Sequence, residues 1–227
     1  MSAEAQNNMA DAKSAYLRGD YRSAFDLWIK EAEAGNAEAQ SWIGSLYANG
    51  EGVDVDDAKA LNWYLAAARQ GNHMAQANVG AFYFMGRGTA RDVQEALHWL
   101  TLAADGGDLN GCFNLAVICS KGDGVPVDEE KAAALYRKAA ELGHYPSQSR
   151  LGYIYSHGKG VPKDRVQAYL WLSLAAQHGI GTALDALEAV VKEMSLEEKS
   201  RGAGLFEEWR TRTKSKEGQV ALYPMPS

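Results

Sequence analysis

Ser156-His157-Gly158-Lys159 places a serine three residues before a lysine, a spacing in which an amine can relieve a nucleophilic hydroxyl of its proton. Penicillin-recognising enzymes with this S-x-x-K spacing also need S-D-N and K-T-G elements, and neither tripeptide occurs in the chain. Cys112 and Cys119 are the only cysteines. Seven residues apart on one helix, their Cα atoms would stand roughly 10 Å apart, beyond the ~7 Å that a disulfide tolerates. No third or fourth ligand stands at zinc spacing beside them, so both read as small buried residues. The histidines His73, His98, His144, His157 and His178 form no H-E-x-x-H or comparable metal spacing. The acid pairs Asp56-Asp57 and Glu129-Glu130 fall at helix starts, where the helix dipole favours negative charge. Four G-x-G pairs, Gly50/Gly52, Gly86/Gly88, Gly122/Gly124 and Gly158/Gly160, look like phosphate loops by letter. A dinucleotide loop follows a strand and opens a helix, whereas each of these follows a helical pattern. The residues therefore assign no catalytic group, no cofactor and no metal.

The G-x-G pairs belong to a larger regularity. Residues 37–72, 73–108, 109–144 and 145–180 align without gaps at a constant shift of 36 residues, and a degenerate copy precedes them over 1–36. Physical reasons attach to the recurring columns. Gly44, Gly80, Ala116 and Gly152 are small residues inside a first helix, letting a second helix approach closely. Tyr47, Tyr83, Cys119 and Tyr155 follow one turn later on the same side. The first glycine of each pair is placed to end that helix in a left-handed conformation, and the second suits a tight loop. Val53, Thr89, Val125 and Val161 then plug the loop onto the core. Asp56, Asp92, Asp128 and Asp164 are placed as N-caps of a second helix. Ala60, Ala96, Ala132 and Ala168 pack within the hairpin. Double alanines at 67/68, 103/104, 139/140 and 175/176 face the next unit, and Gly71, Gly107, Gly143 and Gly179 stop the second helix. One such hairpin cannot bury its apolar face alone, but a stack of them can.

After residue 180 the pattern changes. Helices are expected over Thr182–Met194, with an apolar stripe at Leu184, Leu187, Val190 and Val191, and over Leu196–Thr213, with a stripe at Leu205, Phe206 and Trp209. Ser195 and Glu198 form a capping box for the last one. These helices, 181–214, cover the end of the stack, and residues 215–227 are expected to be a mobile tail.

The string A-x-A-Q-x-x-x-G-x-x-Y-x-x-G-x-G-V-x-x-D-x-x-K-A-x-x-W-Y-x-x-A-A-x-x-G, complete at Ala37–Gly71, resembles the Sel1-like repeat family of the tetratricopeptide-like superfamily. The copy at 109–144 departs most, with Cys112 for Gln, Ala116 for Gly and Cys119 for Tyr. The first copy, with Gly19-Asp20-Tyr21 and Ala24, is more similar to an ordinary tetratricopeptide hairpin with a short loop. The resemblance implies an all-α, α/α superhelical solenoid of five hairpins, one tetratricopeptide-like and four Sel1-like, right-handed and closed by the C-terminal helical cap.

It also implies a non-catalytic scaffold or adaptor, bacterial, binding a partner protein segment in a concave groove lined by first helices. By that correspondence the groove takes Trp42, Asn78, Phe84, Phe113, Asn114, Arg150 and Tyr153. An asparagine amide can grip a peptide backbone as donor and acceptor, and aromatic and arginine side chains make the strongest anchors. Two other functions stay open at this point: an immunity or inhibitor protein against a toxin, and a β-lactamase-like hydrolase. The second arises because some cysteine-rich relatives have been so described. Those relatives carry a cysteine pair joining helices in most units, and this chain does not.

A net charge of −6 argues against nucleic acid and against an anionic membrane surface as partners. No run approaches the ~18 apolar residues of a spanning helix. The first residues carry no signal-like apolar run, so a cytoplasmic location is expected for the sequence as it stands, or a periplasmic or secreted one if a signal was trimmed. A monomer is expected. If Ser156 is not a nucleophile, a chromogenic β-lactam should be hydrolysed no faster by the protein than by its Ser156→Ala variant; turnover that the variant loses would establish the hydrolase.

Overall fold

A computed structural model describes residues 3–214, and twelve helices and no strand occur among them. The chain divides into two compact units, one running up to Gly111 and the other starting at Cys112. The first unit holds α1 (Ala3–Leu17), α2 (Tyr21–Glu33), α3 (Ala37–Asn49), α4 (Asp57–Ala68), α5 (His73–Met85) and α6 (Val93–Asp105). These pair as three hairpins, with α2 also packing on α3 and α4 on α5. The second unit holds most of α7 (Leu109–Lys121), then α8 (Glu129–Glu141), α9 (Tyr145–His157), α10 (Arg165–Gln177), α11 (Gly181–Glu193) and α12 (Leu196–Lys214). The fold is the all-α solenoid class: five hairpins and two closing helices.

The hairpin geometry follows from its columns. Gly50, Gly86 and Gly158 stand in the left-handed region and return their N–H to the carbonyls of Leu46, Phe82 and Ile154. Asp56 and Asp128 accept hydrogen bonds from the N–H groups of Lys59 and Lys131, each at 2.9 Å. Asp92 and Asp164 each cap two N–H groups. The backbone N–H of each capping aspartate also donates across the loop, to the carbonyls of Tyr47, Tyr83, Cys119 and Tyr155 at 2.9–3.0 Å. Inside the hairpins, a Cβ added to Gly44 would stand 2.7 Å from the Tyr64 ring, and one added to Gly152 would stand 2.6 Å from Leu172. The first hairpin differs in having only residues 18–20 between its helices, the short loop expected of it.

Two interactions join one hairpin to the next. Gln40, Gln76 and Gln148 are buried on first helices, and each donates its amide N–H to a carbonyl in the last turn of the preceding second helix: Ala32, Ala68 and Ala140, at 3.1–3.2 Å. Last-turn carbonyls lack helical partners, so this amide fills a need the helix itself creates. The second contact is backbone on backbone. A Cβ at Gly52 would lie 2.6 Å from the carbonyl carbon of Tyr21, the first residue of α2. At Gly88 it would collide with the carbonyl of Asp57, and at Gly160 with that of Glu129, again the first residues of second helices. The second glycine is thus required twice, for its positive φ and for the absence of a side chain.

The closing helices begin and end within a residue of the expected positions. Ser195 and Glu198 form the capping box in both directions, at 2.8 and 3.1 Å. The α11 stripe is corrected: Leu184 is 51% exposed, and Ala183, Val190 and Met194 are the buried residues, with Leu187 and Val191 beside them. Positions 183, 187, 190, 191 and 194 share one face at helical period, and Leu184 lies at its edge, roughly 75° from its centre. Leu205, Phe206 and Trp209 are half-buried, Trp209 meeting Trp171 edge-on at 4.9 Å. Cys112 and Cys119 are buried and unbridged. The proposed tail, 215–227, lies outside the described residues.

His144 departs from its column. Asn36, Asn72 and Asp108 cap first helices through their side chains, whereas His144 makes no cap bond and turns inward, its Nδ1 2.7 Å from Ser147 Oγ and its ring 5.4 Å from that of Phe113. Burial pushes its pKa down to about 4. Protons therefore bind the unfolded chain first, so the stability held above the unfolded value of about 6.5 is lost progressively as pH falls towards 4. His144→Asn should flatten the pH profile of the unfolding midpoint across that window relative to wild type, and parallel profiles would contradict the assignment. For the inter-hairpin contact, Gly88→Ala should cost about 2 kcal/mol or more, against about 1 kcal/mol for Gly71→Ala. Gly71 has positive φ but open space around its missing side chain. Denaturant unfolding of the two variants checks this, and equal losses would show that φ alone matters.

Candidate partner-binding surface

The seven residues expected along the first helices do not all remain open. Within the first unit, Trp42 is 7% exposed. It stacks on Trp28 with ring centroids 4.6 Å apart and an interplanar angle of 12°, and Tyr16 meets it at 5.1 Å. It contributes chiefly to the core between α2 and α3. Phe84 is half-buried beneath the Arg91 guanidinium, 5.1 Å from its ring centroid, while Arg91 Nε donates to the Phe84 carbonyl at 3.0 Å. Asn78 is half-buried on α5, and its amide has no hydrogen-bond partner within the unit.

In the second unit, Phe113 is half-buried between Tyr136, at 5.6 Å, and His144. Asn114 repeats Asn78: half-buried, on a first helix, its amide without a partner inside the unit. Arg150 and Tyr153 are exposed on α9, and the fold brings these two together at the mouth of a pocket of about 300 Å³. Val117, Ser120 and Lys121 of α7 form one wall; Glu129, Ala132 and Tyr136 of α8, with Ile154 and Lys159, form the rest. Tyr153 stacks on His157 at 4.0 Å and carries the Lys159 ammonium 5.5 Å from its ring centroid.

Ser156 and Lys159 occupy the helix end and loop beside this pocket. Ser156 Oγ donates to the Tyr153 carbonyl at 2.8 Å and also lies 2.8 Å from His157 Nδ1. Among the described residues, no three His, Cys, Asp or Glu side chains gather closely enough to hold a metal ion, and no helix is long and apolar enough to cross a membrane.

Glu129, Tyr136 and Lys159 are not among the partner-surface residues that the sequence suggests. Glu129 reads as a helix-start acid, Tyr136 as core and Lys159 as the lysine of an S-x-x-K spacing. The signal that finds them is comparison down the repeat columns: Lys159 stands where the first unit has Arg87, and Glu129 where it has Asp57.

A family model for the Sel1 repeat matches residues 3–36, 37–72, 73–108, 109–144 and 146–180, taking in the short-looped first hairpin as well. Among solved structures, the chain is similar to c5321, described as a protective antigen present in uropathogenic Escherichia coli strains displaying an SLR fold. The two share 31% identity and a TM-score of 0.77 over 90% of this chain and 46% of that one. It is also similar to a Sel1 repeat protein from Oxalobacter formigenes, at 33% identity and a TM-score of 0.67 over 75% of this chain and 49% of that one. The chain thus spans about half the length of these relatives. No curated protein sequence matches it. Sel1 repeat proteins are generally non-catalytic scaffolds for protein interaction. With five matched repeats and the hairpin geometry described above, the chain belongs to the Sel1 repeat family.

Proposed function

We propose that the chain is a non-catalytic scaffold or adaptor that holds a segment of a partner protein along the open side of its first helices. The observation that carries this is the pair Asn78 and Asn114. They stand in one repeat column, half-exposed, with side-chain amides that no group of their own unit satisfies. Each amide offers a donor and an acceptor, the combination that a peptide backbone presents in return. Arg150 continues the same column, and Tyr153 stands one turn on. Phe84 and Phe113, on the same two helices, add half-buried aromatic surface, which gives contact area at small entropic cost. Trp42, stacked on Trp28, belongs to the core and is left out of this surface.

Pull-down from the source organism's lysate, read by mass spectrometry, tests the proposal. Asn78→Ala with Asn114→Ala should reduce capture of the partner at least roughly tenfold, as loss of two central contacts does. Its thermal unfolding should match wild type, because neither amide is bonded within its unit. Undiminished capture by the folded double variant would move the binding surface elsewhere.

A further inference from the structure

Repeat proteins contain their own controls, because equivalent places in successive hairpins can be compared. Between the second and third hairpins, Arg87 fills the junction. Its guanidinium bonds both oxygens of Asp57, at 2.6 and 3.2 Å, donates to the Ala48 carbonyl at 3.1 Å and lies 4.6 Å from the Phe82 ring centroid. The equivalent junction of the second unit differs at the three residues that matter to this closure, with Lys159 for Arg87, Glu129 for Asp57 and Ile154 for Phe82. An ammonium has no planar fork to hold a carboxylate at two points. An isoleucine offers no ring face to a cation. Lys159 accordingly turns towards Tyr153, and the space that Arg87 closes in the first unit is here the pocket of about 300 Å³.

Three cations line this pocket, Lys121, Arg150 and Lys159, against one carboxylate, Glu129. Each of the three is exposed, and no ion pair reaches any of them within the unit. A local excess of positive charge on a chain of net charge −6 is not a by-product of composition. Tyr136 and Ile154 add apolar wall behind the cations. The pocket also continues the proposed path of the partner, since Arg150 shares the column of Asn114.

Resting on that reading of the first-helix side, we propose that this pocket receives an acidic side chain of the partner's segment, its carboxylate held by Arg150, Lys121 and Lys159. The bound protein is then one whose docking segment carries Asp or Glu. Selection comes from hydrogen bonds between a carboxylate and cations, charged on both sides, against which a neutral residue offers weaker bonds and a basic one repulsion.

The test is fluorescence anisotropy with the full chain and a fluorescein-labelled Gly-Ser peptide bearing a central run of glutamates, beside matched glutamine and phosphoserine peptides. The glutamate peptide should bind at least roughly tenfold more tightly than the glutamine peptide, and the preference should shrink as salt is added. Arg150→Gln with Lys159→Gln should abolish the preference, and Lys30→Gln, an exposed cation of the first unit, should leave it unchanged. A further variant keeps the charge and closes the pocket: Glu129→Asp, Ile154→Phe and Lys159→Arg transplant the first unit's arrangement and should abolish the preference too. Equal binding of the glutamate and glutamine peptides, binding of the phosphoserine peptide alone, or full preference in the closed variant would overturn the assignment. Those failures leave the scaffold reading standing if lysate capture still depends on Asn78 and Asn114; loss of both dependences would overturn the two together.

Discussion

Backbone touching backbone at Gly52, Gly88 and Gly160 is the contact on which the stacking of hairpins depends. At each place a loop that has just left a first helix sits on the opening residue of the preceding second helix, with no room for a Cβ. The buried glutamines bind the same neighbours at their other end, Gln40, Gln76 and Gln148 each reaching a last-turn carbonyl of the preceding second helix. A second helix is therefore held at its start by a glycine and at its finish by an amide. Between these two points the alanine columns set the spacing: Ala60, Ala67, Ala96, Ala103, Ala132, Ala139, Ala168 and Ala175 are essentially inaccessible. Such close contact leaves little freedom in how neighbouring hairpins of one unit meet, so the side chains of their first helices stand in register.

That register explains why local chemistry was legible in the sequence. An N-cap aspartate and a left-handed glycine need only their own few residues, and every one of those columns reads through to geometry. Positive φ at the second glycine was legible for the same reason; its contact with the neighbouring helix was not, because nothing local says which backbone lies opposite. Leu184 shows the limit of periodicity. Two overlapping apolar stripes fit α11, and packing against α10 selects the one through Ala183 and Met194. His144 escaped notice because a histidine in a capping column reads as a boundary residue until Phe113 and Ser147 close around it.

The partner surface was legible as a column and illegible as an environment. Trp42, Asn78, Asn114 and Arg150 share a repeat position, yet their fates differ with their neighbours. Trp42 meets Trp28 and becomes core; the two asparagines meet nothing polar and stay available; Arg150 meets an open junction. The junction itself depends on residues 72 positions apart in sequence, Arg87 against Lys159 and Asp57 against Glu129. Only when the closed case is seen does the open one acquire meaning. The repeat frame thus keeps the architecture constant, while single substitutions in the frame decide which places are sealed and which can take a ligand.

On the reading proposed above, the first helices carry the partner. Photo-crosslinking in the source cells tests it whatever protein that partner is, using a benzophenone amino acid at Asn114 or Tyr153 on first helices, or at the exposed Ala134 on the second helix α8. An adduct with one and the same protein is expected from Asn114 and Tyr153, and none from Ala134. Adducts from Ala134 with silence at the other two would place the partner on the opposite side and contradict it.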